Sequence, residues 1–107
     1  MTDLGIERIA TNLLKNAVDA IDQEGTIEIA TSIDKHTLTI QVRDSGKGIP
    51  DEDLDKIFEP FFTTKDIDKG CGLGLTIVNE IVAYYNGKVI VESAVNHGTS
   101  FTITLPV

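Results

Sequence analysis

The chain predicts an α+β two-layer sandwich: a mostly antiparallel sheet of about four to five strands with helices packed on one face. Three observations carry this. The elements run helix, two strands, short helix, long helix, two strands, without the strict alternation of a doubly wound sheet. The strand segments alternate apolar and polar residues, which gives each a dry side and a wet side. The two long helical segments each carry an apolar arc that suits the dry side.

Residues from about Asp3 to Ile21 have a helical period, with Ile9/Ala10, Leu13/Leu14, Ala17/Val18 and Ala20/Ile21 on one arc. Beside the arc runs a polar stripe, Asn12, Asn16, Asp19 and Gln23, at spacings of four, three and four. Glu24-Gly25 stops the helix. Thr26 to Ile33 reads as a half-buried strand with Ile27, Ile29 and Ile33 on one face, and Asp34-Lys35-His36 turns the chain. Thr37 to Asp44 is the returning strand. Leu38, Ile40 and Val42 share one side of it, and Asp44 continues that side. A carboxylate thus ends a core-facing row, where an unpaired charge is costly.

Ser45-Gly46-Lys47-Gly48-Ile49-Pro50 is a glycine-rich loop. Pro50 with Asp51, Glu52 and Asp53 suits the first turn of a short helix that ends near Phe58. An aromatic loop, Glu59-Pro60-Phe61-Phe62-Thr63-Thr64-Lys65, and a polar link from Asp66 to Lys69 follow. Leu73 to Tyr85 is the second long helix, ended by Asn86-Gly87. Lys88 to Val95 and Thr99 to Leu105 form a hairpin around Asn96-His97-Gly98. Phe101, Ile103 and Leu105 face one way and Thr99 shares their side. Asp44 and Thr99 are therefore both core-facing polar residues at strand ends.

A length of 107 residues predicts one domain with one core. Apolar content of 41% beside 24% charged residues is that of a globular chain. A formal net charge of −8 opposes a general nucleic-acid or anionic-membrane surface, but not a nucleotide, which local lysines can serve. The one cysteine, Cys71, forms no internal disulfide and points to a reducing, cytoplasmic compartment. No apolar run approaches the roughly 20 residues of a membrane span, and no secretory signal opens the chain.

The segment Lys69-Gly70-Cys71-Gly72-Leu73-Gly74-Leu75 places three glycines in five positions directly before a helix. Such backbone turns N–H groups toward one point, and a helix N-terminus adds free donors and a positive dipole end, which together suit phosphate. Neither the Rossmann glycine spacing nor a Gly-Lys-Ser/Thr run is met, so both standard phosphate loops are disfavoured. A tight loop with packing glycines explains this stretch equally well when it is taken alone.

Four motifs in order resemble the catalytic, ATP-binding domain of bacterial sensor histidine kinases, in the superfamily that includes gyrase and MutL. Asn12-Leu13-Leu14-Lys15-Asn16-Ala17 resembles the asparagine box, and Asp44-Ser45-Gly46-Lys47-Gly48 the first glycine box. Phe58-Glu59-Pro60-Phe61-Phe62 resembles the phenylalanine box, and Gly70-Cys71-Gly72-Leu73-Gly74-Leu75 the second glycine box. Gly98-Thr99 before the last strand adds to them.

The resemblance implies the ATP-binding fold of that superfamily, with ATP and Mg²⁺ as cofactors. It implies that Asp44 accepts a hydrogen bond from the adenine amino group, helped by a water and Thr99, while Gly46, Gly48 and Ile49 pass close to the base. It implies that Asn16 ligates Mg²⁺ through its amide oxygen with Asn12 beside it, and that Gly70, Cys71, Gly72, Leu73, Gly74 and Leu75 cradle the phosphates. Lys65 and Lys69 are implied phosphate contacts, Lys69 with a catalytic share, and Lys15 and Lys47 are weaker ones. Cys71 stands where the family usually has threonine or serine, which a backbone contact tolerates. A strand often found upstream of the asparagine box is missing, and the segment before Gly70 is short.

Hydrolysing and serine-phosphorylating relatives commonly carry a glutamate four residues before the asparagine that matches Asn16. Here that residue is Asn12, which takes no proton at neutral pH. A histidine acceptor, itself a competent nucleophile, fits better. His36 and His97 both sit in hairpin turns and lack the surroundings of a phosphoacceptor. The acceptor is therefore expected on a histidine-containing dimerisation domain elsewhere in a longer chain or on another chain, with a response regulator downstream and no direct membrane contact. Two other readings stay open at this point: an ATPase or serine kinase of the same superfamily, and a non-catalytic nucleotide-binding module that regulates a partner.

Overall fold

The computed structural model describes residues 3–59 and 74–106. Its elements are α1 (Asp3–Ala20), β1 (Ile27–Asp34), β2 (Thr37–Asp44), α2 (Asp51–Leu54), α3 (Gly74–Tyr84), β3 (Lys88–Ala94) and β4 (Gly98–Pro106). The four strands form one sheet in the order β1-β2-β4-β3, and every neighbouring pair is antiparallel. Helices α1 and α3 lie together against one face of the sheet, α1 mainly over β2 and α3 over β3 and β4. This is the open two-layer sandwich that the element order predicts.

Alternation builds the core. Ile40 and Val42 from β2 and Phe101, Ile103 and Leu105 from β4 are buried. They meet Ile9, Leu13 and Ala17, spaced one helical turn apart on α1, and Val78 and Val82, likewise spaced on α3. Six of these side chains, Ile9, Leu13, Val78, Val82, Ile103 and Leu105, are fully buried. Each contributes about 1.5–3 kcal/mol of transfer free energy to the fold. The opposite face of the sheet is polar, and Gln41 Nε2 donates there to Ser100 Oγ across 3.3 Å.

Helix α3 ends in a Schellman motif: Asn86 takes φ +63°, its N–H reaches the Ala83 carbonyl, and Gly87 N–H reaches that of Val82 at 2.8 Å. Asn86 thus stops the helix because it tolerates the left-handed conformation that the preceding Tyr85 resists.

Three expectations are corrected. Helix α1 ends at Ala20, so Gln23 lies beyond it and the polar stripe stops at Asp19. The short helix covers only Asp51–Leu54 and gives way to turns up to Phe58. β1 is not half-buried: Ile29 is 55% and Ile33 72% exposed, although both share the helix-side face with Val42 and Leu38. The reason is that α1 and α3 are displaced toward β2, β4 and β3 and leave most of β1 outside their footprint, whereas β3, the other edge strand, keeps Val89 and Val91 against the core.

Candidate functional site

The inward rows of three adjacent strands each run out of apolar residues at the same rung. On β2 the row Leu38, Ile40, Val42 ends in Asp44; on β4 Leu105, Ile103, Phe101 ends in Thr99; on β3 Val89, Val91 ends in Ser93. The register sets Asp44 opposite Thr99 and Thr99 opposite Ser93. Asp44 is 6% and Thr99 5% exposed, and they are the buried polar residues among those described. A line of three hydrogen-bonding side chains therefore closes one end of the core.

The carboxylate is partly satisfied by its own loop. Gly46 N–H donates to Asp44 Oδ1 at 2.8 Å, and the Thr99 backbone N–H also donates to the carboxylate. Burial nevertheless wins and holds the Asp44 carboxyl above its ordinary 3.8. An acid with a raised folded-state pKa binds its proton more tightly when folded. Its stabilising contribution is complete below the unfolded value and is lost as pH climbs through the folded one. The stability of the native chain relative to Asp44→Asn should therefore fall as pH rises past 3.8, a trend that paired thermal melts in the absence of nucleotide would read. A flat difference would show that the carboxyl is solvated.

The loop after Asp44 is held at several points. Thr26 N–H donates to Ser45 Oγ at 2.8 Å and Ser45 N–H to the Thr26 carbonyl at 3.1 Å. Lys47 N–H reaches the Ala20 carbonyl at the end of α1, and Asn96 N–H reaches the Lys47 carbonyl. Ile49 N–H donates to Ser93 Oγ at 2.7 Å. Gly48 takes φ +75°, and a Cβ there would overlap the Ala94 carbonyl. Packing against the chain's own backbone thus demands glycine at this position, before any ligand is considered.

Helix α1 carries the amides along its contact with α3. Asn12 and Asn16 lie one turn apart and are half-buried, with the Asn16 side-chain nitrogen shielded from solvent. The Asn12 side chain lies beside Gly74, the first residue of α3, where an added Cβ would make ordinary contact with Asn12 Oδ1. Thr76 Oγ1 donates to the Phe58 carbonyl at 3.0 Å, which ties the start of α3 to the turn after α2. Leu75 and Phe58 pack against the core cluster, as does Ile49.

Asp44, Gly46, Gly48, Ile49 and Thr99 thus gather at one end of the sheet, and Asn12 meets Gly74 where α1 faces α3. Lys15 and Lys47 are exposed, as are the turn residues His36 and His97. Lys65, Lys69, Gly70, Cys71, Gly72 and Leu73, with Phe61 and Phe62, lie outside the described residues. Ser93 was missed in the sequence. The signal was the one that found Asp44 and Thr99, an apolar alternating row ending in a polar residue, and it holds equally for Val89, Val91 and Ser93.

Among the described residues no cluster of three or more His, Cys, Asp or Glu side chains is placed to hold a metal, and no helix is long and apolar enough to cross a membrane. The donor set near the site is amide and hydroxyl oxygen with one carboxylate. That fits a hard cation sharing its shell with phosphate and water oxygens better than an all-protein cage.

Residues 1–107 match the family model described as histidine kinase-, DNA gyrase B-, and HSP90-like ATPase. Sporulation kinase A of Bacillus subtilis (strain 168) is 40% identical over 101 residues, which take in 94% of this chain and 16% of that kinase. The chain therefore spans a small part of that relative's length. Among solved structures, a mycobacterial sensor histidine kinase, MprB, superposes with a TM-score of 0.85 at 31% identity, covering 99% of this chain and 72% of that one. Full-length ShkA in complex with AMPPNP gives a TM-score of 0.83 at 31% identity, covering 95% of this chain and 21% of that one.

Proposed function

Because the chain belongs to the histidine kinase-, DNA gyrase B- and HSP90-like ATPase family, as a catalytic ATP-binding domain of the sensor histidine kinase type, we propose that it binds Mg²⁺–ATP and supplies the γ-phosphoryl group to a histidine on a separate dimerisation domain. The observation that carries the reading is the buried Asp44 carboxylate beside Thr99 at the end of two core rows. A buried acceptor pair calls for a donor, and the exocyclic amine of adenine is one. The AMPPNP bound by ShkA, a relative in structure, supports an adenine nucleotide here.

In this reading Asp44 and Thr99 fix the base, and the clasped loop from Ser45 to Ile49 gives it a preformed wall. Asn16 would hold Mg²⁺ through its amide oxygen, with phosphate and water oxygens filling the remaining positions; the bound ion supplies charge neutralisation on the phosphates. Asn12 remains neutral and takes no proton from a nucleophile, which suits an imidazole acceptor. Gly70, Cys71, Gly72, Leu73 and Gly74 are proposed to cradle the phosphates ahead of α3, with Lys65 and Lys69 offsetting their charge. The whole pathway, from histidine domain to response regulator, is part of the proposal and lies beyond this chain.

The test is transfer. The chain, γ-labelled ATP and a separately produced histidine-bearing helix pair are mixed with and without Mg²⁺. An acid-labile, alkali-stable label on the helix pair is expected only with Mg²⁺. Asn16→Ala should lower the transfer rate by about 100-fold or more, since loss of even an outer partner of a metal ligand costs about 10–100-fold. It should also erase the Mg²⁺-dependent part of ATP affinity. Steady hydrolysis by the chain alone, with no labelled histidine, would overturn the acceptor assignment in favour of an ATPase.

A further inference from the structure

Ser93 Oγ has three neighbours, and the count of protons and lone pairs among them favours one arrangement. Ile49 N–H lies at 2.7 Å and can only donate. The Gly98 carbonyl lies at 3.0 Å and can only accept. Thr99 Oγ1 lies at 2.7 Å and could do either. A serine hydroxyl has one proton and two lone pairs. The Ser93 proton is taken by the Gly98 carbonyl, and one lone pair by Ile49 N–H. The remaining lone pair is filled when Thr99 donates. The reverse arrangement would take from the Gly98 carbonyl its Ser93 donor and leave a lone pair of Ser93 empty. The closed arrangement makes Thr99 spend its only hydroxyl proton on Ser93. Thr99 Oγ1 then shows the site lone pairs alone, next to the carboxylate opposite it in the register.

We propose that Ser93 is a positioning and specificity residue: by holding the Thr99 hydroxyl as an obligate acceptor, it makes the rung select purines that carry an amine, and reject those that carry a carbonyl, at the position facing Asp44. An amine has two protons and can give one to each acceptor directly. A 6-oxo group would set lone pairs against lone pairs, and an acceptor facing an acceptor in a buried site is penalised strongly. Ser93 touches no ligand in this scheme and acts through Thr99 and through the Ile49 loop. The inference rests on the nucleotide reading above.

The experiment compares ADP with inosine diphosphate, without Mg²⁺, by calorimetric titration into the native chain, Ser93→Ala, Ser93→Thr, Thr99→Val and the Ser93→Ala/Thr99→Val double variant. Amide hydrogen exchange at Ile49 is followed in parallel without nucleotide. In Ser93→Ala the Thr99 hydroxyl is free to turn and donate, so the ADP preference should fall by about tenfold, chiefly through better binding of the inosine nucleotide and weaker binding of ADP. Ser93→Thr keeps the hydroxyl and should restore the preference. On a Thr99→Val background, Ser93→Ala should leave the preference unmoved, because the group it acts through is gone. Ile49 exchange should quicken in Ser93→Ala and not in Ser93→Thr. Equal weakening of both nucleotides in Ser93→Ala would reduce Ser93 to a structural residue and overturn the inference while leaving nucleotide binding intact. Binding of neither nucleotide by the folded native chain would overturn both readings together.

Discussion

Asp44→Ala is expected to weaken binding of an ATP analogue by about 100-fold or more while the chain still unfolds cooperatively. The size follows from what the substitution leaves behind. The carboxylate is the buried acceptor at the end of the β2 row. Without it the adenine amine would enter a dry site with only the Thr99 hydroxyl to accept from it, and a hydrogen bond to a charged group is worth about 1.5–3 kcal/mol before that desolvation is counted. Calorimetric titration of the analogue into native and variant chains reads the loss directly. Two internal donors, Gly46 N–H and the Thr99 backbone N–H, also lose their partner, so the variant should be less stable than the native chain near neutral pH. A thermal melt separates the two effects. Undiminished affinity in the variant would remove the base from this rung.

Gly98→Ala should be, with Gly48→Ala, among the most damaging small substitutions for the fold, at a cost of more than about 3 kcal/mol. Gly98 opens β4 with φ +88°, and a Cβ there would overlap the Asp44 carbonyl oxygen with the Asp44 and Ser45 backbone close behind. Neither obstacle is a flexible side chain, so relief requires β4 to part from β2 at the rung that bears Asp44 and Thr99. Denaturant unfolding should show the lower midpoint, and nucleotide binding should fail with it. Gly74→Ala is the control. Its Cβ would only touch the Asn12 side chain, so its effect on stability should be small, with the better helix propensity of alanine partly offsetting any crowding. Equal stability of the two variants would mean that strand pairing near Gly98 yields more readily than its geometry implies.

Much of this arrangement was legible in the sequence, because alternation does two jobs at once. Leu38, Ile40 and Val42 fix which side of β2 is dry, and that same parity turns Asp44 inward; Phe101, Ile103 and Leu105 do this for Thr99. The pairing between the two hairpins was not legible. Nothing local in β2 or β4 says that Asp44 will lie beside Thr99, since the β2-β4 pairing is a long-range outcome of packing. The exposure of Ile29 and Ile33 failed for a related reason: period reports which side of a strand is apolar, not whether a helix covers it. The end of α1 at Ala20 depends on the Lys47 N–H meeting the Ala20 carbonyl, a contact between segments far apart in the chain. The glycines at 46 and 48 looked made for a ligand. At 48 the neighbouring Ala94 carbonyl already requires one, and at 46 the Ala20 backbone does.

The alignment of Asp44, Thr99 and Ser93 on one rung makes the pocket a gauge of strand register. Slipping β2, β4 and β3 by one residue would bring the neighbouring rung of Arg43, Ser100 and Glu92 to the inner face, replacing the Asp44 carboxylate by a cation and moving the rung's one carboxylate to β3. Such a slipped molecule could keep its secondary structure and its circular dichroism, yet it would present a cation where Asp44 should meet the base. The number of nucleotides bound per chain at saturation therefore measures the fraction of molecules whose strands are in step, which spectroscopic helix and strand contents do not report.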